Sequence, residues 1–199
     1  MKRLAVIAAL LTLLASTLVH AQTRAVAIFA GGCFWCMEPP FDKLDGVLAT
    51  IPGYIGGTSA DPTYEQVSSG RTGHYEAIKV EYDPARIGYS RLLEVFWRNI
   101  DPLDATGQFC DKGPQYRSAI FVTDDAQRAE AEASKAALVK SGKLPGRIVT
   151  EILPAATFYP AESYHQDYYR RNSVSYSFYR WNCGRDRRLE QLWGPAPKS

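Results

Sequence analysis

Ala25-Val26-Ala27-Ile28-Phe29-Ala30-Gly31-Gly32-Cys33-Phe34-Trp35-Cys36-Met37-Glu38 is the stretch on which the reading of this chain turns. A short apolar, β-compatible run closes in two glycines, and the residues after them can open a helix. The segment therefore predicts a strand, a tight glycine turn and a helix N-terminus. Cys33 would lie where free backbone N–H groups and the helix dipole favour negative charge, which is expected to lower its thiol pKa. Pro39 and Pro40 fit only a first turn or a kink, so the regular helix is expected to begin late and to run through Phe41 and Leu44.

Upstream, Lys2 and Arg3 precede an apolar run from Leu4 to Val19 that ends in Val19-His20-Ala21. That layout predicts a secretory signal peptide over residues 1–21, cleaved after Ala21, and one globular domain over 22–199. The run carries Thr12, Ser16 and Thr17 and is shorter than the ~20 residues of a membrane span, so cleavage is favoured over an anchor. A periplasmic or secreted location follows. Losing Lys2 and Arg3 takes the Lys+Arg count from 23 to 21, against 21 Asp+Glu. The balanced charge argues against nucleic acid or an anionic membrane as partner. Arg185-Asp186-Arg187-Arg188 is interrupted by Asp186 and followed by Glu190, which reads as a solvated helix face.

Downstream, His74 to Tyr82 alternates as a half-buried strand, with Glu76, Ile78, Val80 and Tyr82 on one face, so Glu76 lies among apolar neighbours. Ser90 is a candidate cap for a helix that turns Leu92, Leu93, Phe96 and Trp97 inward. Further on, the pattern predicts a strand at Tyr116 to Val122 and a long helix at Asp124 to Lys140. A short strand at Ile148 to Leu153 and a helix around Ser163 to Arg171 follow, and the tail from Ser175 is aromatic, basic and poorly patterned. The fold class is α+β, a two-layer α/β sandwich with a mixed sheet and an irregular C-terminal tail.

Four cysteines in an exported chain could form two structural disulfides. The Cys33-x-x-Cys36 spacing points elsewhere, because so short a loop removes little unfolded-chain entropy and more often serves redox exchange. A thioredoxin-like disulfide oxidoreductase and a binding domain stapled by two disulfides are the alternatives that the residues leave open.

Gly31-Gly32-Cys33-Phe34-Trp35-Cys36-Met37-Glu38 resembles the signature of the peptide methionine sulfoxide reductase A family. The resemblance continues in order through Gly53-Tyr54-Ile55-Gly56-Gly57, Pro62 to Val67 and Thr72-Gly73-His74-Tyr75-Glu76-Ala77. Asp101-Pro102, Gly107-Gln108-Phe109, Gln115 to Ile120 and Phe158 to Gln166 complete it. It implies a ferredoxin-like core and thiol-dependent reduction of methionine-S-sulfoxide, in proteins and free, to methionine. In that reading Cys33 is the nucleophile that becomes a sulfenic acid, and Glu76 is the acid, its pKa raised by apolar surroundings. Phe34 and Trp35 form the methyl-binding wall, Tyr64 and Tyr116 donate hydroxyls to the sulfoxide oxygen, and Asp111 orients the site. His165 braces it through hydrogen bonds. The scattered His20, His74 and His165 make no convincing zinc centre with these cysteines, and no bound metal or organic cofactor is implied.

Cys36 is favoured as the resolving thiol by its reach at the helix N-terminus, with Cys183 in the tail as the alternative, and Cys110 adjoins Asp111. The resulting disulfide calls for an external dithiol, thioredoxin or a thioredoxin-like periplasmic domain. Oxidised envelope proteins and free methionine sulfoxide are the expected substrates, and a monomer is expected.

Overall fold

The computed structural model describes residues 24–195, so the expected signal segment lies outside the described residues. The elements run β1 (Ala25–Gly31), α1 (Phe34–Asp42), β2 (Val47–Ile55), α2 (Tyr64–Ser68), β3 (Tyr75–Tyr82), α3 (Tyr89–Arg98), β4 (Gly107–Gln108), β5 (Asp111–Lys112), β6 (Ser118–Val122) and α4 (Asp125–Ser141). They end with β7 (Glu151–Pro154), β8 (Tyr159–Pro160), α5 (Tyr168–Arg171), α6 (Ser173–Asn182) and α7 (Arg185–Trp193). Six strands form one sheet in the order β7-β6-β1-β3-β2-β8, and β4 and β5 make a separate short hairpin.

The inner four strands, with α1 and α3 between them, follow the βαββαβ path of a ferredoxin-like core, each antiparallel to its neighbours. The parallel pairing of β7 with β6 makes the sheet mixed. Strand periodicity divides the core in two. Phe29, Ile78, Val80 and Ile120 pack with Phe41, Leu92, Phe96 and Ala131 of the helices. Ile28, Ala30, Tyr75, Ala77 and Phe121 point to the opposite face, where Phe158 partly covers them. Glu76 lies one alternation from Ile78, as expected, on the face that α1 covers.

Local chemistry moves several boundaries. Helix α1 starts at once after Cys33 and carries Pro39 and Pro40 within it rather than beginning late. Gly88, not Ser90, is the N-cap of α3. In α4 the Asp124 carboxylate accepts from the Gln127 N–H at 2.8 Å and Gly142 closes the helix in the left-handed region, so this helix lies where its cap and stop residues put it. The expected helix at Ser163 to Arg171 is reduced to the single turn of α5.

The tail departs most from expectation, because it is helical rather than irregular. Helix α6 has no buried residue, and its apolar stripe of Val174, Phe178 and Trp181 stays largely exposed rather than packing on the core. Particular contacts hold the tail instead. The Cys110–Cys183 disulfide closes a separation of 73 residues, Arg188 binds Asp101 at 2.7 Å, and the Trp193 indole donates to the Ile100 carbonyl at 3.1 Å.

Phe29 is the hub of the core on the helix side, its ring stacked 5.3 Å from Phe41 and 5.0 Å from Phe96. Phe29→Ala should cost about 3–5 kcal/mol of stability, read as a fall in the urea midpoint at unchanged slope.

Candidate active site

The Gly31-Gly32 turn makes the site, and each glycine is required for a different reason. Gly32 has φ +81°, and a Cβ on it would come within 2.6 Å of the Gln108 side chain. A Cβ on Gly31 would meet the Met37 sulfur at 2.6 Å. The turn delivers Cys33 to the N-cap of α1, where its side chain caps nothing, and the Cys33 carbonyl accepts from the Cys36 N–H at 3.0 Å. Both thiols are free, and they are 6% and 2% exposed.

Burial reverses the expected effect of the helix N-terminus. The Cys33 thiol is pushed well up by desolvation, and its hydrogen bond with Cys36 pushes the same way. Cys36 is lowered to about 6, first by the hydrogen bond it receives from Cys33 and then by the charges of Arg185 and Arg180. The shared hydrogen bond thus favours negative charge on Cys36 over Cys33.

Glu76 is 2% exposed and has no cation beside it; its Oε2 accepts from the Phe34 N–H at 3.2 Å. Burial raises its carboxyl to about 8, opposed by that hydrogen bond, so it is protonated at neutral pH as expected. Tyr64 is pushed up to about 12 by burial and then by the charges of Glu76 and Cys33. Tyr116 is raised by burial and then by Glu76 and Tyr64. Both phenols therefore stay protonated donors beside the thiol and the carboxyl. Asp111 is raised by burial and accepts the Tyr179 O–H.

Aromatic rings enclose these groups. Trp35 stacks on Tyr168 at 3.8 Å and meets Tyr179 edge-on, while Phe34, only 1% exposed, lies beneath with its ring 6.4 Å from that of Trp35. The Trp35 indole donates to His165 Nδ1 at 3.0 Å, which makes His165 a brace as expected. Burial lowers the His165 pKa, so the ring is neutral and its 4.0 Å approach to Glu162 is no ion pair. Glu162 clasps two segments, accepting the Tyr54 hydroxyl at 2.8 Å and the Tyr64 N–H at 2.9 Å.

All the sequence-chosen residues except Cys183 thus gather around one turn; Cys183 is bonded to exposed Cys110 and abuts the same neighbourhood through Asp111. A chain stapled by two disulfides is therefore not what forms. Cys110, Asp111 and Cys183 lie close enough together to suggest a metal, yet their sulfurs are already joined. Sequence reasoning missed Tyr179, Glu162, Arg180 and above all Arg185, which is buried at 1% exposure rather than solvated. It also assigned no role to Glu38, whose carboxyl burial raises to about 8 and which accepts from the Asp167 N–H at 3.1 Å. Glu38 and Glu162 stood in motifs that could have flagged them, the first beside the cysteine pair and the second before Tyr164-His165-Gln166.

The family model described as Peptide methionine sulfoxide reductase matches residues 25–196. Peptide methionine sulfoxide reductase MsrA of Halalkalibacterium halodurans is 53% identical over 168 residues, which cover 84% of this chain and 96% of its own. MsrA 2 of Caulobacter vibrioides is 51% identical over 197 residues, 98% of this chain and all of its own. Among solved structures, reduced Mxr1 of Saccharomyces cerevisiae superposes with a TM-score of 0.71 at 32% identity, over 75% of this chain and 86% of that one. Methionine sulfoxide reductase A of Corynebacterium diphtheriae gives 0.68 at 34% identity over 76% of both chains.

A buried carboxyl held neutral has a consequence for stability. Glu76 binds its proton more tightly folded than unfolded, so stability is lost as pH rises from its unfolded value near 4.5 toward about 8. Glu76→Gln, which keeps an acceptor for the Phe34 N–H, should stabilise the fold by up to about 3 kcal/mol at pH 7 and by almost nothing at pH 4. Paired denaturation curves at the two pH values test this, and equal gains at both would exclude a native protonated Glu76.

Proposed function

This chain belongs to the peptide methionine sulfoxide reductase A family, and from that premise we propose how its residues carry out the reduction of methionine sulfoxide. The observation that carries the reading is a water-poor thiol pair facing a buried, protonated carboxyl with no cation beside it. The Cys33 sulfur attacks the sulfoxide sulfur while its proton passes to the Cys36 thiolate. Glu76 gives its proton to the sulfoxide oxygen, assisted by the Tyr64 and Tyr116 hydroxyls. Methionine departs, Cys33 is left as a sulfenic acid, and Glu76 is left as a carboxylate. Cys36, now a thiol one helical turn away, displaces the hydroxyl as water and forms the Cys33–Cys36 disulfide. Phe34 and Trp35 hold the substrate's methyl group, and Asp111, anchored by Tyr179, orients the polar side.

Regeneration needs an external dithiol. Cys33 and Cys36 are too buried for a folded reductant to touch, whereas Cys110 is exposed. Oxidising equivalents therefore pass from the Cys33–Cys36 disulfide to the Cys110 and Cys183 thiols, and the dithiol reduces the disulfide at the surface. The observed state, free at the centre and bonded at the surface, is the one this transfer leaves behind. Mxr1 of Saccharomyces cerevisiae has been solved in complex with Trx2, and a thioredoxin-like protein is the reductant we assign here. With residues 1–21 read as a cleaved signal, the enzyme works as a monomer outside the cytosol. Its substrates there are oxidised methionines of envelope proteins and free methionine sulfoxide.

Cys33→Ser should abolish reduction, because a hydroxyl has no comparable route to an anion at neutral pH. Cys36→Ser should release one methionine per enzyme, more slowly than wild type because the thiolate that takes the Cys33 proton is gone, then stall with thioredoxin and recover partly with dithiothreitol. Normal turnover of Cys36→Ser with thioredoxin would move the resolving role to the tail. The Cys36 thiolate is lost as pH falls through about 6 and the Glu76 proton is lost as pH rises through about 8. The single-turnover rate should therefore peak between those values, and a rate flat from pH 5 to 9 contradicts the assignment.

A further inference from the structure

Arg185 is 1% exposed, and none of its hydrogen-bond partners is a carboxylate. Its Nη2 donates to the Gly31 carbonyl at 3.1 Å, to the Asn99 carbonyl at 2.6 Å and to the Met37 thioether at 3.0 Å. Its buried Nε has no acceptor. The Phe109 ring covers the guanidinium, with 4.4 Å from its carbon to the ring centre. Nη1 lies 3.7 Å from where a Cβ on Gly32 would be, so the cation sits directly against the turn that carries Cys33.

A guanidinium cannot shed its proton here, and a charge removed from water needs an opposite charge nearby. The neighbouring acids are committed elsewhere. Asp101 holds Arg188 at 2.7 Å, Asp186 holds Arg180, and Glu76 binds only the Phe34 N–H; Asp111 accepts the Tyr179 hydroxyl and, although its charge reaches Arg185, makes no hydrogen bond to it. The sulfurs of Cys33 and Cys36 remain, at the start of the helix whose Met37 touches the same cation.

We propose that Arg185 is the fixed counter-charge of the Cys33 and Cys36 sulfur pair, a positioning residue that keeps one of the two sulfurs a thiolate. The proposal rests on the reading of these two cysteines as the reactive pair. Other groups whose charge reaches the pair are Tyr64 from α2, Glu76 from β3, Asp111 from the short hairpin, Tyr116 before β6, and Tyr176, Tyr179 and Arg180 from α6. Of these only Arg180 is a second cation, and its guanidinium is already bonded to Asp186. The helix α7 that bears Arg185 is pinned at Asp101 and Ile100, so the charge is held in place rather than brought by substrate.

The test is a pH titration of thiolate absorbance near 240 nm in the full chain with the Cys110–Cys183 bond intact, alongside iodoacetamide labelling mapped to Cys33 and Cys36. The wild-type midpoint should fall below the ordinary thiol value of about 8.5. Arg185→Met should raise it by at least about one unit and slow labelling at neutral pH roughly tenfold, while Arg185→Lys should stay near wild type. An Arg185→Met protein with a native circular dichroism spectrum and an unshifted midpoint overturns the proposal. Should that variant fail to fold, the other proteins decide. A wild-type midpoint at or above about 8.5, or a low midpoint that is lost in Arg180→Gln, overturns the proposal. A low midpoint that survives Arg180→Gln supports it. No step of this titration uses a sulfoxide. A thiolate that responds to Arg185 in a protein that reduces no sulfoxide therefore refutes the functional reading and leaves this one standing.

Discussion

Two buried ionisable groups, an acid hydrogen-bonded to no cation and a cation hydrogen-bonded to no carboxylate, fasten onto the backbone of one short turn. Glu76 accepts the N–H of Phe34, and Arg185 donates to the carbonyl of Gly31. Both lie at 2% exposure or less. In a protein built only for stability the two would be brought together as an ion pair or replaced by apolar side chains. Here they are kept apart, one neutral and one charged, with Cys33 between their points of attachment in the chain and Cys36 just beyond them. The chemistry depends on that separation. Joined to a cation, Glu76 would be a carboxylate with no proton to give; joined to a carboxylate, Arg185 would no longer need the sulfurs.

The ferredoxin-like order explains how the separation is built. Strands β1 and β3 are neighbours at the centre of the sheet, so the end of β1 that carries the glycine turn lies beside the start of β3 that carries Glu76. Alternation along β3 turns Glu76 toward the face that α1 covers, which is why burial dominates its acidity. Tyr54, opposite Glu76 on β2, reaches through Glu162 to hold Tyr64 at the rim. Glu76, Cys33 and Tyr64 are therefore fixed by the sheet and by segments fastened to it. The cation comes from the far end of the chain, across a separation of 154 residues.

That difference in origin decides what could be read from the sequence. The strand and the glycine turn before Cys33 follow from local composition, although Pro39 and Pro40 suggested a later helix than α1, and the period-two pattern of residues 74–82 placed Glu76 correctly. Helix α4 was legible because its Asp124 cap and glycine stop are local signals. Arg185 was not legible, since it stands in an Arg-rich run whose other arginines stay at the surface, Arg187 exposed and Arg188 half-buried where it reaches Asp101. What buries it is Phe109, Gly31 and Asn99, none of them near it in sequence. The Cys110–Cys183 bond was hidden for the same reason, because four cysteines allow three pairings and spacing does not choose among them. Even the direction of the Cys33 shift failed, because helix-dipole reasoning saw the nearby N–H groups but not the desolvation.

The tail has the weakest core of any part of the molecule, yet it supplies Arg185, Tyr179 and the exposed disulfide. Helix α6 buries nothing and leaves Val174, Phe178 and Trp181 largely exposed. On loop entropy the disulfide alone contributes about 4 kcal/mol to holding that segment down, more than any single hydrogen bond there. On the proposed cycle, reducing it loosens the segment that carries Arg185, and reoxidising it restores that segment. A tail fastened by a covalent bond that the cycle itself makes and breaks would be tight while the catalytic thiols are reduced and looser while they pass on their oxidising equivalents. A well-packed apolar helix in the same place would hold Arg185 as firmly, but it would stay closed throughout, with the Cys33–Cys36 disulfide sealed beneath it.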